Sequence, residues 1–209
     1  MIASDTHTPP VMVLELEGIP VDVVEAYRRK QAKGVYREGR ITVTVPSNWP
    51  LDLKASSCLN LARRILKKHK KETALLKNLP ENTEKITIYN NNELNHYVNH
   101  VNSSSLKASI KESRIGQAKF SRLAQINLKN NVITVSKYCL YNVPEPALRY
   151  LILHELCHTK QANHSPRFWA LVQQFMPNYA YWSDVMAACH QYNISTENKL
   201  ERTTKNETN

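Results

Sequence analysis

The sequence predicts an α+β fold in which a mixed or antiparallel sheet packs on one apolar helix, behind an N-terminal β-hairpin and a basic helix. Residues 41–45 and 124–128 alternate apolar and polar side chains with the period of a strand. Residues 53–76 repeat apolar side chains at three- and four-residue steps, as an amphipathic helix does. Residues 147–160 contain no helix breaker, and apolar residues surround positions 154 and 155.

The N-terminal part begins with strands and continues into a long helix. Residues 11–16 predict a short strand, and residues 22–28 and 40–45 predict two strands joined as a hairpin through Gly34 and Gly39. On the helix over 53–76, cations occupy the side opposite the apolar residues. Residues 28–77 hold 14 Lys and Arg against three acidic residues. The resulting net charge of +11 slightly exceeds the formal +10 of the whole chain. This charge fits either a well-solvated surface or contact with nucleic acid through the basic 28–77 region.

The C-terminal part alternates short strands and helices. Residues 84–89 predict a strand, and residues 94–101 predict a short helix with Asn92 as its N-cap. A hairpin follows, with residues 124–128 and 132–135 as its strands. The domain expectations are a flexible start over 1–10, a basic layer over 11–80, a catalytic core over 81–190 and a disordered tail over 191–209. A single compact domain over 10–190 is the alternative.

The composition excludes several protein classes. In 209 residues there are only 4 Gly and no heptad repeat, which excludes collagen-like and coiled-coil arrays. No apolar run reaches the length of a membrane span, so no membrane partner is expected. The four cysteines form no C-x-x-C pair, and the polar N-terminus lacks the layout of a secretory signal. We therefore expect reduced thiols and a cytoplasmic protein.

The chemistry is concentrated in residues 154–164, which begin with the pattern H-E-x-x-H. On a helix, His154 and His158 lie one turn apart on one face and can reach the same ion. Glu155 is offset by about 100° and can act beside the ion without binding it. Two zinc ligands and a general base are the usual reading of this pattern.

A catalytic zinc needs three protein ligands, and His164 is the third candidate. A straight helix would carry His164 about 9 Å past His158, so the chain must turn after Lys160. Ser165-Pro166 is a strong helix start and supports such a turn. Glu197 and Glu201, the candidates for a downstream carboxylate ligand, lie in the polar tail. A purely structural zinc is the alternative, with Cys157 as the nearest thiol, but it leaves Glu155 without a role.

The segment HELCHTKQANHSPRFW, residues 154–169, resembles the active-site signature of the YgjP-like zinc metallopeptidases and, more distantly, of SprT-like proteins. Residues 27–46 and 176–179 carry weaker similarities, so the resemblance spans about residues 20–182. It implies a zincin fold in which His154, His158 and His164 bind zinc and Glu155 is the base. Gln161 stands where metzincins have their turn glycine, which excludes that branch.

The predicted function is a zinc-dependent peptidase that acts on peptides or unfolded proteins, with Glu155 assisting the attack of water. The first alternative is a nucleic-acid-binding protein in which zinc has a supporting role. The second, implied by the SprT-like resemblance, is a protease that acts on DNA-associated proteins. An inactive zincin scaffold is disfavoured by the intact Glu155. The sequence leaves the oligomeric state open.

Overall fold

The computed structural model describes residues 9–37, 39–117 and 122–207 and shows a mixed α+β chain. The chain divides into two compact units, Met1–Thr73 and Ala74–Asn209. The division falls inside the first long helix. None of the helices in the described ranges combines the length and apolar character needed to cross a bilayer.

The N-terminal unit contains one four-stranded sheet. Its strands are β1 (Met12–Leu16), β2 (Ile19–Ala26), β3 (Lys33–Arg37) and β4 (Arg40–Pro46), in the spatial order β1-β2-β4-β3. β1 pairs antiparallel with β2, and β3 pairs antiparallel with β4, while β2 and β4 are parallel. Each of the two hairpins turns on a glycine with positive φ, Gly18 and Gly39, where a side chain would be strained.

This topology corrects the predicted hairpin between residues 22–28 and 40–45. The two segments are neighbours, but they run parallel because residues 33–37 form an additional strand on the far side of β4. Gly34 lies inside that strand and not in a turn. A Cβ at this position would collide with the side chain of Ile65, so the glycine permits close approach of the sheet to the helix.

The helix that covers this sheet, α1 (Leu51–Lys77), confirms the amphipathic pattern. Its buried residues Cys58, Ala62 and Leu66 form one core with the inner face of the sheet, where Val23 and Val43 are fully buried. Burying each such aliphatic side chain contributes about 1.5–3 kcal/mol, so the helix is held mainly by this face.

Over its described residues, the C-terminal unit combines a three-stranded sheet, a two-stranded ladder, four further α-helices and the 3-10 helix Lys137–Cys139. The three-stranded sheet has the order β6-β8-β7, with β6 parallel and β7 antiparallel to β8. The elements are β5 (Lys85–Ile86), α2 (Asn91–Ser103), β6 (Glu112–Gly116), β7 (Ala124–Asn127), β8 (Val132–Ser136), β9 (Val143–Pro144), α3 (Glu145–Cys157), α4 (Pro166–Phe175) and α5 (Tyr179–Glu207).

Several sequence predictions are confirmed in this unit and others are corrected. The β7–β8 hairpin and the start of α4 agree with the predicted elements. The predicted strand over 84–89 is reduced to β5, which pairs with the unpredicted β9. The N-cap of α2 is Asn90, not Asn92, and its side chain accepts a hydrogen bond from the Glu93 N–H.

The polar tail predicted to be disordered from residue 191 instead continues α5 to Glu207. Polar contacts hold its first turns to the unit: Asn193 donates to the carbonyls of Tyr138 and Tyr141, and Glu197 accepts from Lys137 at 2.6 Å. Ile194 lies between them and is buried. Composition alone did not reveal these anchors, because each depends on a partner more than 50 residues away.

Candidate metal centre

Two of the three predicted ligands lie at the end of the buried helix α3. This helix begins directly after Pro144 and is buried over most of its length. It ends at Cys157, earlier than the predicted Lys160, and His158 is its C-cap. His158 nevertheless keeps helical φ and ψ of −60° and −23°, so its side chain still follows that of His154 by one turn.

A tight turn brings the third candidate, His164, back to the other two. Lys160 and Gln161 both donate their backbone N–H to the carbonyl of Cys157, so helical turns continue past the end of α3 as far as Gln161. Ser165 then precedes α4, with Pro166 in its first turn. The chain therefore changes direction between Lys160 and α4, as the sequence predicts.

The structure places His154, His158 and His164 together. One ring nitrogen from each lies within 4.8 Å of the others, and the Nε2 atoms of His154 and His164 are 2.9 Å apart. Over residues 9–37, 39–117 and 122–207, this is the one group of three or more His, Cys, Asp or Glu side chains with spacing suited to a metal ion.

Two of these imidazoles are held in their neutral form. Burial, followed by the neighbouring charges of His158 and His164, lowers the pKa of His154 from 6.5 to about 4. Burial also lowers the pKa of His158, although the backbone carbonyl of Gln161 opposes this effect. Neutral imidazole is the form that binds metals, so the site favours a metal over a proton.

In two of the three imidazoles, Nδ1 has a hydrogen-bond partner, as is usual for histidines that bind a metal through Nε2. Nδ1 of His154 lies 3.3 Å from the Tyr150 hydroxyl, and Nδ1 of His158 lies 3.2 Å from the Gln161 carbonyl. With Nδ1 engaged in both rings, each Nε2 remains for coordination. Three imidazoles are one of the donor sets that proteins use for catalytic zinc.

Aromatic residues form the surroundings of the triad. Phe168 is fully buried and its ring lies 4.7–4.9 Å from all three imidazoles. Trp169 stacks on His164 with 5.5 Å between ring centroids, and Tyr179 stacks on Trp169. His164 is exposed, and this packing restricts its ring.

Glu155 lies beside the triad on α3 and is only 6% exposed. Burial raises its pKa from 4.5 to about 7, while a hydrogen bond from the backbone N–H of Ile126 and the charge of Arg122 act in the opposite direction. Its carboxylate therefore faces β7, which is an edge strand. A carboxyl group with a pKa near neutrality can both accept and donate a proton.

Other candidate residues lie outside the triad. Cys157 is fully buried, and burial raises the pKa of its thiol to about 12, so it is a neutral core residue and not a fourth ligand. Glu197 is bound by Lys137 and Tyr138. His190 is buried against Tyr138.

Tyr150 is a site residue that the sequence motifs do not include. Its position one turn before His154 is a usable signal, because residues at i and i+4 share a helix face. The contact between Glu155 and Ile126 has no local signal in the sequence.

Comparison with known families agrees with the resemblance in the sequence. Residues 121–188 match the family model described as YgjP-like, metallopeptidase domain. The matched segment includes β7, β8, α3 and α4, and therefore all three histidines and Glu155. No curated protein matches this chain.

Two solved structures are similar to part of the chain, and both are metallopeptidase zymogens. Abylysin of Pyrococcus abyssi is 26% identical over 43% of this chain and 85% of its own, with a TM-score of 0.37. Jannalysin of Methanocaldococcus jannaschii is 30% identical over 39% of this chain and 79% of its own, with a TM-score of 0.35.

Proposed function

Since the chain carries a YgjP-like metallopeptidase domain, we propose that it is a zinc-dependent peptidase in which Glu155 is the general base. One observation carries this proposal: three imidazole nitrogens lie within 4.8 Å of one another, and the buried Glu155 adjoins one of these ligands, His154, on α3. The substrates we propose are peptides or unfolded proteins, and the fold we propose for the domain is zincin-like.

The metal would be held by His154, His158 and His164. Zinc bound by three imidazoles keeps a position open for water and substrate, and it supplies Lewis acidity toward the carbonyl of the scissile bond. A purely structural zinc would use a fourth protein ligand. Among the described residues, the group contains three.

Glu155 would move the proton in this reaction. Its carboxylate oxygen accepts a proton from the attacking water and later delivers that proton to the nitrogen of the leaving amine. Burial favours the neutral form of this carboxyl group in the metal-free protein, and a bound metal ion would favour the carboxylate that accepts the proton. Low exposure keeps bulk water away from this proton.

The three-stranded sheet β6-β8-β7 offers one edge for an extended substrate. On β6, the backbone N–H groups of Ser113 and Ile115 donate to the side chains of Asn95 and Asn91 on α2, so this edge is occupied. β7 is the opposite edge and lies beside Glu155, whose carboxylate accepts from one of its backbone N–H groups, that of Ile126. We therefore propose that a peptide adds to β7 as an extended strand.

The test is Glu155→Gln, with Glu81→Gln as the matched control on an exposed residue of the same unit. We expect Glu155→Gln to retain about one zinc per chain and to lose cleavage of an unfolded protein. The control should retain both properties. Cleavage that survives in Glu155→Gln contradicts the mechanism, and wild-type protein without bound zinc contradicts the metal site.

Nucleic-acid binding is a second candidate, favoured by one observation. Arg63, Arg64, Lys67 and Lys68 are all exposed on α1. Some of the charge on this helix is neutralised locally, since Lys68 lies 3.6 Å from Glu72 and Lys70 is paired with Glu17. The comparisons support the peptidase and give no support to this alternative, which stays a prediction together with action on DNA-associated proteins.

A further inference from the structure

Tyr150 is a buried residue that the proposed mechanism does not use. It lies on α3 one helical turn before His154 and is 6% exposed. A buried tyrosine hydroxyl requires hydrogen-bond partners. Two are present: Nδ1 of His154 at 3.3 Å and the side chain of Ser183 on α5.

These partners form a chain from α5 to the metal centre. A tyrosine hydroxyl has one proton to donate, and it can accept at the same time. When Nε2 of His154 coordinates a metal, Nδ1 carries the ring proton and must donate it. The Tyr150 oxygen then accepts from Nδ1, and the same hydroxyl is hydrogen-bonded to the Ser183 side chain.

The position of the hydroxyl separates this role from direct contact with substrate. It lies at Nδ1, whereas Nε2 of His154 faces His164 at 2.9 Å. The two nitrogens are on opposite sides of the imidazole, so the hydroxyl is behind the ligand and not at the open side of the metal. His158 has a backbone carbonyl, that of Gln161, in the corresponding place. Of these two partners, Tyr150 is the one that a substitution can remove.

We infer that Tyr150 is a positioning residue, which fixes the ring of His154 and keeps its proton on Nδ1 so that Nε2 is available to zinc. This inference rests on the proposed zinc site. It adds a side chain outside the histidine triad that determines how tightly the metal is held.

The test is Tyr150→Phe, which removes the hydroxyl but keeps the ring that packs against His154 and Tyr179. Removing an outer partner of a metal-binding histidine typically weakens the metal 10- to 100-fold, so we expect a rise of about that size in the zinc dissociation constant measured by chelator competition. In the metal-free protein, long-range ¹H–¹⁵N spectra should show His154 losing population of the Nδ1–H tautomer.

Tyr179→Phe is the matched control, because it removes a hydroxyl from the same aromatic stack without a hydrogen bond to the triad. Its zinc dissociation constant should equal that of the wild type. Wild-type affinity and tautomer population in Tyr150→Phe would overturn the inference, whereas failure of the wild type to bind zinc would overturn the proposed function instead.

The melting temperature of the metal-free variants separates positioning from general stability. We expect Tyr150→Phe to weaken zinc binding even when its metal-free form melts near the wild type. Should that variant not fold, Ser183→Ala tests the next link of the chain, and it should weaken zinc binding in the same direction. Wild-type zinc affinity in Ser183→Ala would then overturn the inference.

Discussion

The Nε2 atoms of His154 and His164 lie 2.9 Å apart, although ten residues separate them in the chain. Two neutral imidazoles at this distance share either a proton or a common ligand, since two lone pairs facing each other repel. The lowered pKa of His154 disfavours an added proton at neutral pH. In the metal-free protein the contact fits an N–H···N hydrogen bond between two neutral rings, and a bound metal would replace that hydrogen bond by coordination of both nitrogens. The first prediction concerns His164, the residue that completes the group of three.

His164→Ala should weaken zinc binding by more than about 100-fold, because it removes a ligand and not merely an outer partner. His164 is exposed, so the metal-free protein should unfold at nearly the wild-type denaturant concentration. Competition with a chelator measures the first quantity and urea unfolding the second. His96→Ala, at an exposed histidine of α2, is the control. An equal loss of zinc affinity in His164→Ala and His96→Ala would mean that zinc binds to surface histidines in general.

Glu155 makes the stability of the metal-free protein depend on pH. Its pKa is raised from 4.5 to about 7, so its contribution is fully present below pH 4.5 and is lost as the pH rises through 7. Because the amide that replaces the carboxyl group does not titrate, Glu155→Gln should gain about 3 kcal/mol relative to the wild type between pH 4.5 and pH 8. Urea unfolding in the presence of a chelator across this range measures the difference.

His154 acts in the opposite direction in this experiment. Its pKa is lowered to about 4, so its contribution is present above pH 6.5 and is lost as the pH falls toward 4. Both proteins retain His154, and its effect cancels in the comparison. A difference between the two proteins that does not change with pH would contradict the buried position of the Glu155 carboxyl group.

Asn95 protects one edge of the three-stranded sheet. Its side-chain oxygen accepts from the backbone N–H of Ser113 at 2.6 Å and from the Ser113 hydroxyl at 2.9 Å. Asn95→Ala leaves these donors unpaired in a residue that is 1% exposed, which should cost about 1–3 kcal/mol in urea unfolding. Asn99→Ala, an exposed position one turn later on α2, should cost far less. Similar losses for both would assign the effect to helix propensity.

Asn193 anchors the part of α5 that composition predicts to be disordered. Its amide donates to the carbonyls of Tyr138 at 2.9 Å and Tyr141 at 2.8 Å. Asn193→Ala should destabilise the protein by about 1–3 kcal/mol and speed amide hydrogen exchange beyond residue 191. Gln191→Ala, at an exposed neighbouring position, provides the comparison. Rapid exchange over this stretch in the wild type would restore the prediction of disorder.

The exposed cations of α1 allow the nucleic-acid alternative to be tested directly. If they bind DNA, log K should fall steeply with log salt, by about 0.9 for each phosphate contact. Replacing Arg63, Arg64, Lys67 and Lys68 with Gln should reduce the magnitude of that slope by up to about four times 0.9, the value for four phosphate contacts. Fluorescence anisotropy with a duplex of random sequence measures both. No binding by the wild type at about 50 mM salt would exclude the alternative.

Local patterns predicted the parts of this protein that depend on near neighbours in the chain. The period of a strand predicted the β7–β8 hairpin, and the period of a helix predicted α1. The same period placed His154 and His158 on one face of α3. The pairing of strands in the sheets was harder to predict from the sequence. β2 pairs in parallel with β4, and β6 pairs in parallel with β8, although the strands of each pair lie apart in the chain. The hairpin rule favours the antiparallel alternative for such segments.

The sequence by itself determined which residues are the candidate ligands and base, since H-E-x-x-H and Ser165-Pro166 act over one or two helical turns. Only the tertiary structure decided how those groups behave. The pKa of Glu155 depends on burial and on the N–H of Ile126, and the ring of His154 is held by a hydroxyl that also contacts α5. Burial and hydrogen bonding between distant elements arise from the packing of the whole unit, and local patterns of residues do not predict them.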